Sequence, residues 1–279
     1  MAATALGVGS YQETTGLPLS QTSPSLKKSK GPLAITMWDF SWLERRWPGA
    51  GYEDWDLVLD ELKFRGYDAV RIDAYPHLVS KKPQATWELL PVWSVQDWGS
   101  PALNQVQIQP GLNQFIEKCA ARGIQVALSS WFRHDKTKAY LDITNPQDFG
   151  NVWVETLKQI DATGLLSNIL YVDLCNEFPL EVWTPFLPES FKRDQFLPLS
   201  NKEQLRWINE SLAVVRNVYP DLDYTFSNWE NCGTINRDLS MLDLLELHIW
   251  MAGGPFYEKV GYHYERFEDT GYKNLVEFG

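Results

Sequence analysis

"YEDWDLVLDELKFRG" (52–66) runs directly into "YDAVRIDAY" (67–75). In the first stretch Trp55, Val58, Leu59 and Leu62 recur at helical spacing, and Gly66 stands where a helix C-terminus favours a left-handed residue. The second stretch is a short apolar run, which reads as a strand. Helix, glycine stop, strand is a cadence that repeats along the chain.

Upstream, "LAITMW" (33–38) reads as a strand. Downstream, "PGLNQFIEKCAARG" (110–123) aligns Leu112, Phe115, Ile116, Cys119 and Ala120, closes on Gly123 and leads into the strand "IQVALSSWF" (124–132). "NPQDFGNVWVETLKQIDATG" (145–164) reads as a helix with Pro146 in its first turn, and the strand "SNILYVDLCNE" (167–177) follows. "SNKEQLRWINESLAVVRNVYP" (200–220) opens with Ser200 and Glu203 in capping-box spacing and carries Leu205, Ile208, Leu212 and Val215 on its apolar face. "DLDYTFSNW" (221–229) and "LDLLELHIW" (242–250) read as strands, with a short helix expected over 232–240. Residues 1–32, rich in Ser, Thr, Gly and Pro, read as a flexible leader, and 33–279 as a single domain.

Alternation at this pitch means a parallel sheet with helices outside. The first strand–helix junction, "MWDFSWLERRWPGAGYEDW", has no Gly-x-Gly-x-x-Gly to cradle a pyrophosphate, which argues against a dinucleotide-binding open sheet. Polar and aromatic residues at nearly every strand end suit a (β/α)8 barrel of the TIM type, whose active site is built there. About six β/α units are legible and a barrel needs eight, so the expectation is an incomplete barrel.

Composition narrows the partners. The 279 residues are 44% hydrophobic and 22% charged, enough for a sizeable core. A net charge of −11 should repel nucleic acid and anionic membranes. No segment approaches a membrane span of about 20 apolar residues. The N-terminus lacks a basic signal-peptide region, which points to the cytoplasm. Cys119, Cys175 and Cys232 lack metal-ligand spacing and read as free thiols. His77, His134 and His263 also lack ligand spacing and read as surface residues. No metal or cofactor is expected, and oligomeric state is open. Thirteen Trp is a dense count, and several fall at strand ends, where indole faces can stack on sugars.

The strand ends gather one set of residue types. They deliver Trp38 and Asp39; Arg71, Asp73 and Tyr75; Ser130 and Trp131; Asn176 and Glu177; Asn228, Trp229 and Glu230; and Glu246, His248 and Trp250, the last three on one face of their strand. A carboxylate at the end of an apolar strand is costly unless paired or used. Glu246 reads as a buried partner for Arg71 or a lysine.

"VRIDAY", "YVDLCNEFP" and "LLELHIW", in that order, resemble the second, fourth and sixth strands of the clan of retaining glycoside hydrolases on (β/α)8 barrels. Within that clan the chain looks closest to cellulase-like proteins, over about residues 33–250. The resemblance implies a retaining β-glycosidase with Glu177 as general acid/base, Asn176 on the sugar 2-hydroxyl, Arg71 supporting the nucleophile and His248 in a substrate or support role. Trp38, Asp39, Tyr75, Trp131, Trp229 and Trp250 are the expected substrate contacts, and a carbohydrate is the expected partner.

Retention needs two carboxyl groups about 5–5.5 Å apart. The clan takes its nucleophile from the seventh strand, and none is clear here. The closing "EFG" (277–279) resembles a common nucleophile motif and nominates Glu277, but only Leu275 and Val276 precede it as apolar residues. The expectation is therefore that the chain stops after the sixth strand and that the nucleophile lies beyond residue 279. The alternative class is a carbohydrate-binding relic without catalysis.

Overall fold

The structure is a computed structural model. It describes residues 33–36, 40–92, 100, 103–188, 202–229, 241–248 and 275–278, with backbone alone at 228, 229, 247 and 275–278.

The wall of the fold is parallel. Strands β1 (Ile35–Thr36), β2 (Ala69–Asp73), β5 (Gln125–Ser129), β6 (Ile169–Asp173) and β7 (Tyr224–Thr225) pair in that order. β8 (Asn228–Trp229), β9 (Leu245–His248) and β10 (Leu275–Phe278) form a second parallel set in the order β8-β9-β10. β7 and β8 lie two residues apart in the chain, and the Thr225 hydroxyl donates to Leu244 O at 2.9 Å. The two sets therefore continue one wall. The strands of this wall neighbour one another in chain order with no reversal, which is barrel order and not that of a doubly wound sheet. Among the described residues β10 and β1 are not paired, so the wall does not close.

β10 is a departure from the sequence reading, which finds no clear strand after the sixth. It runs parallel to β9 with Glu277 in register with Leu247 and Phe278 with His248. A four-residue strand beside a neighbour needs no long apolar run of its own, and periodicity cannot see it.

Outside the wall lie α2 (Trp55–Phe64), α4 (Ile108–Ala121), α5 (Pro146–Asp161) and α6 (Lys202–Val218). Asp54 caps α2 by accepting from Asp56 N and Leu57 N, and Gly66 beyond its end has φ 86°. Asn145 caps α5 through Asp148 N at 2.9 Å, with Pro146 in the first turn. The expected cap of α6, Ser200, lies outside the described residues, as does the 232–240 helix. α6 buries Trp207 alongside Ile208, Leu212 and Val215, while Leu205 is half-buried. α5 and α6 meet at Gly150, where a Cβ would fall 2.6 Å from Val214 Cβ and 2.9 Å from Ser211 O.

The 76–109 segment holds what the sequence reading left unassigned: α3 (Pro76–Lys81) and an antiparallel hairpin of β3 (Thr86–Leu89) and β4 (Asn104–Gln107). A short α1 (Ser41–Glu44) follows β1. Both insertions follow strand C-termini, so they build up the face on which a barrel carries its site.

β2 and β6 are buried at every residue and β5 at all but Gln125, as expected of parallel strands covered on both faces. Val70, Ile72, Val126 and Leu128 join the large core that includes the helix faces. Ala69, Ala127, Tyr171 and Leu244 form a smaller core with Leu33 and Ile35. Next to it along the strands come charged residues. No helix among the described residues is long and apolar enough to cross a membrane.

Candidate active site

The site starts from Arg71. Alternation turns it to the face opposite Val70 and Ile72, and it is fully buried. Its Nη2 donates to Asp173 Oδ2 at 2.6 Å, Ser129 Oγ at 2.9 Å and Asn176 Oδ1 at 3.1 Å. Its Nε lies 2.6 Å from Glu246 Oε1. The guanidinium carbon sits 4.4 Å from the Trp131 ring centroid, a cation–π contact. Residues from β2, β5, β6 and β9 thus converge on one cation. A charge can be buried only when so compensated.

Asp173 is held from both sides. Its Oδ2 accepts from Arg71 and from Ser129 Oγ, and its Oδ1 accepts from Ser227 N at 2.8 Å. Burial pushes its pKa above the usual carboxylate range, with the nearby Glu246 charge adding to the effect and Arg71 opposing it.

Glu177 follows β6 and is 7% exposed. Its backbone is left-handed, φ 48°, a costly conformation for a residue with a Cβ. Tyr75 after β2 (φ 49°) and Phe132 after β5 (φ 40°) share this feature. Local bonds hold the turn: Glu177 N donates to Ser227 Oγ at 2.8 Å, and Asn176 N to Ser130 O at 2.9 Å. The Glu177 carboxylate accepts from His248 Nδ1 at 3.0 Å and from Trp183 Nε1 at 3.2 Å.

His248 closes the chain of contacts, since its Nε2 lies 3.2 Å from Glu246 Oε1. Burial alone would lower its pKa, but the hydrogen bonds to Glu177 and Glu246 outweigh that and raise it to about 9. The ring is therefore an imidazolium at neutral pH, donating from both nitrogens. Arg71 and His248 are then two cations among three carboxylates, Asp173, Glu246 and Glu177.

A cleft of about 660 Å³ adjoins this cluster, lined by Trp131, Arg133, His134, Tyr140, Glu181 and Trp183, among others. Trp131 and Trp183 meet edge to face, their centroids 6.5 Å apart. They connect the cleft to the charged cluster, one lying over Arg71 and the other bonded to Glu177.

Of the residues expected from sequence, Arg71, Asn176, Glu177 and His248 come together in one bonded network, with Trp131 against it. Glu246 is the buried partner of Arg71, as anticipated. Tyr75 is not brought to the cleft: it is fully buried and its hydroxyl bonds to Phe40 O and Glu44 Oε2. Trp38, Asp39, Glu230 and Trp250 lie outside the described residues, as do the side chains of Trp229 and Glu277. His77 is not a surface residue. It is buried with Nε2 3.0 Å from Arg133 O, and burial lowers its pKa to about 4. Its apolar neighbours in "YPHLV" carry the signal that was missed. His134 is half-buried and stacks on Tyr140. Cys119 and Cys175 are buried free thiols, and Cys232 lies outside the described residues.

Three contributors were not legible as site residues. Asp173 sits inside an apolar strand, a signal that could have nominated it. Ser227 had none, because tertiary approach alone brings it to Glu177, and Trp183 is turned back onto Glu177 by successive tight turns that apolar spacing does not show.

Similarity to known proteins agrees with this geometry. Residues 35–279 match the family described as sugar-binding cellulase-like. A crystal structure of a candidate glycoside hydrolase from Parabacteroides distasonis is 47% identical, with a TM-score of 0.75, covering 88% of this chain and 64% of that one. The chain thus spans under two thirds of that protein's length. A cellulase solved as an inhibitor complex shares the fold at 13% identity and a TM-score of 0.50, covering 88% of this chain and 73% of the other. No curated protein matches the chain. With the parallel wall, the converging strand ends and the family match in agreement, the chain belongs to the sugar-binding cellulase-like family and has the fold of its glycoside hydrolases.

Proposed function

We propose that this protein hydrolyses a β-linked glycoside by a retaining mechanism, with Glu177 as general acid/base. The observation that carries the reading is the seat of Glu177. Its carboxylate is oriented from two sides, by His248 at 3.0 Å and Trp183 at 3.2 Å, beside a cleft with aromatic walls.

A general acid must hold a proton and keep its geometry. Of the three carboxylates in the buried cluster, Asp173 and Glu246 are closed off and Glu177 alone keeps some exposure, so Glu177 is the member that can take up a proton and pass it on. In the first step Glu177 gives this proton to the glycosidic oxygen while a second carboxylate attacks the anomeric carbon. In the second step Glu177 takes a proton from the water that releases the sugar. Asn176, fixed by Arg71, is suited to hold a sugar hydroxyl near the anomeric centre. Trp131 and Trp183 offer apolar surface to the sugar ring. Glu277 is the nucleophile candidate within this sequence, on a strand beside the one that carries His248.

The test is hydrolysis of a panel of aryl β-glycosides. Turnover is expected, with Glu177→Gln lowering kcat by about 10²–10⁴-fold and Glu277→Gln losing the burst of aglycone. Wild-type turnover that survives Glu177→Gln refutes the role of Glu177. Sugar binding by folded protein with no turnover of any glycoside refutes hydrolysis and leaves a binding protein.

A further inference from the structure

A second cleft, of about 600 Å³, lies between the 43–55 segment, β4 and the start of α4. It shares no lining residue with the first cleft. The buried ion pair of Glu44 and Arg133, at 2.7 Å, stands between the two clefts: Arg133 lines the first and Glu44 the second.

Its chemistry is consistent. Four carboxamides line it: Asn104, Gln105, Gln107 and Gln114. Gln105 and Gln107 are alternate residues of β4 and so share a face, and both are exposed. Each uses its amide nitrogen within the protein, Gln105 on Glu88 Oε1 at 2.9 Å and Gln107 on Gln84 O at 3.3 Å. Their carbonyl oxygens are thereby fixed as acceptors. Trp47, half-buried, supplies an indole to the cleft. Gly111 keeps the floor open, since a Cβ there would meet Leu43 and Trp55 only at 4.0 Å.

The carboxylate is already used, and the guanidinium is held against an indole. Glu44 is bidentate with Arg133 and also accepts from Asn104 at 3.1 Å. Arg46 lies 3.7 Å from the Trp55 ring centroid and donates to Glu53 O at 3.0 Å. What a ligand meets is a set of neutral amide groups, the Trp47 indole, which has Arg45 5.7 Å from its ring centroid, and the exposed Arg46, on a protein of net charge −11. Hydroxyl groups that both donate and accept, mounted on rings with apolar faces, satisfy the amides and the indole together, whereas an anion could use Arg46 but would leave the fixed amide acceptors unsatisfied.

We propose that this cleft is a second, non-catalytic binding site for a neutral oligosaccharide chain. It lies at the starts of α2 and α4, which follow strand C-termini, and so opens toward the same face as the first cleft, whose Trp183 is bonded to Glu177. A polymer held here is tethered near that cleft. The inference does not depend on Glu177 being catalytic.

The test is affinity electrophoresis of the Glu177→Gln protein in gels containing hydroxyethyl cellulose, mixed-linkage β-glucan or arabinoxylan. Retardation by at least one polymer is expected. Gly111→Leu, which adds atoms to the floor, and Trp47→Ala should each weaken it by about tenfold or more, the scale of a central contact. Circular dichroism checks that both variants fold. Neither substitution, in the wild-type background, should alter turnover of a small aryl glycoside. Retardation undiminished in Gly111→Leu but lost in Trp183→Ala overturns the inference, because all binding would then reside in the first cleft. Absence of retardation by every polymer also overturns it. Retardation that responds to Gly111→Leu, in a protein without glycosidase activity, sinks the hydrolase reading and leaves this one standing.

Discussion

Raising the pH through the titration of His248 should cost this protein stability in a defined window. The imidazolium is buried between Glu177 and Glu246 and its pKa is about 9, against 6.5 for a free histidine. Between those values the folded state keeps a proton that the unfolded chain has released, so stability falls as pH rises. The contribution is fully present below about 6.5 and gone above about 9. At about 1.4 kcal/mol per pH unit, the shift corresponds to about 3 kcal/mol. The assay is urea unfolding of the wild type and His248→Gln at several values from about pH 6.5 to 9.5. The variant leaves two buried carboxylates without their shared cation, a loss of about 3–5 kcal/mol where the ring is charged. It should therefore be much less stable than wild type at the low end, and the curves should converge by about 3 kcal/mol toward the high end. An imidazole proton resonance titrating near pH 9, absent from the variant, would identify the group directly. A stability gap that stays constant across the window refutes the reasoning, because His248 would then be neutral throughout.

His77 should act in the opposite direction. Its buried ring has a pKa of about 4, so its contribution of about 3 kcal/mol is present above pH 6.5 and lost as pH falls toward 4, and His77→Gln should flatten that limb of the urea-derived stability profile. Arg71→Met removes the cation from Asp173 and Glu246 and should destabilise by about 3–5 kcal/mol; a loss below about 1 kcal/mol in urea unfolding would show that those carboxylates take up protons readily. Gly150→Ala drives a methyl group against Val214 and the Ser211 carbonyl, and should cost about 1–3 kcal/mol by thermal unfolding, against the usual gain when alanine replaces glycine within a helix.

The sequence by itself determined the alternation and therefore the fold class. Apolar spacing in 52–66, 110–123 and 145–164 is a local property, and helices with one apolar stripe that alternate with short apolar strands are satisfied by packing on the sheet those strands form. It also placed Arg71, Asn176, Glu177 and His248, because an ionisable or amide group at the end of an apolar strand is visible in one dimension. Local spacing did not show the insertions after β1 and β2, β10, or the burial of His77 and Tyr75. These elements are short, and their place depends on what they pack against: β10 on β9, the β3–β4 hairpin on itself, Tyr75 on Glu44. The tertiary structure alone decided how the charges are paired. Arg71 and Asp173 are 102 residues apart, and Glu177 and His248 are 71 apart. No spacing rule links such residues. Lining the strands up in barrel order brings them to within about 3 Å, and the exclusion of water then compels each charge to find its partner.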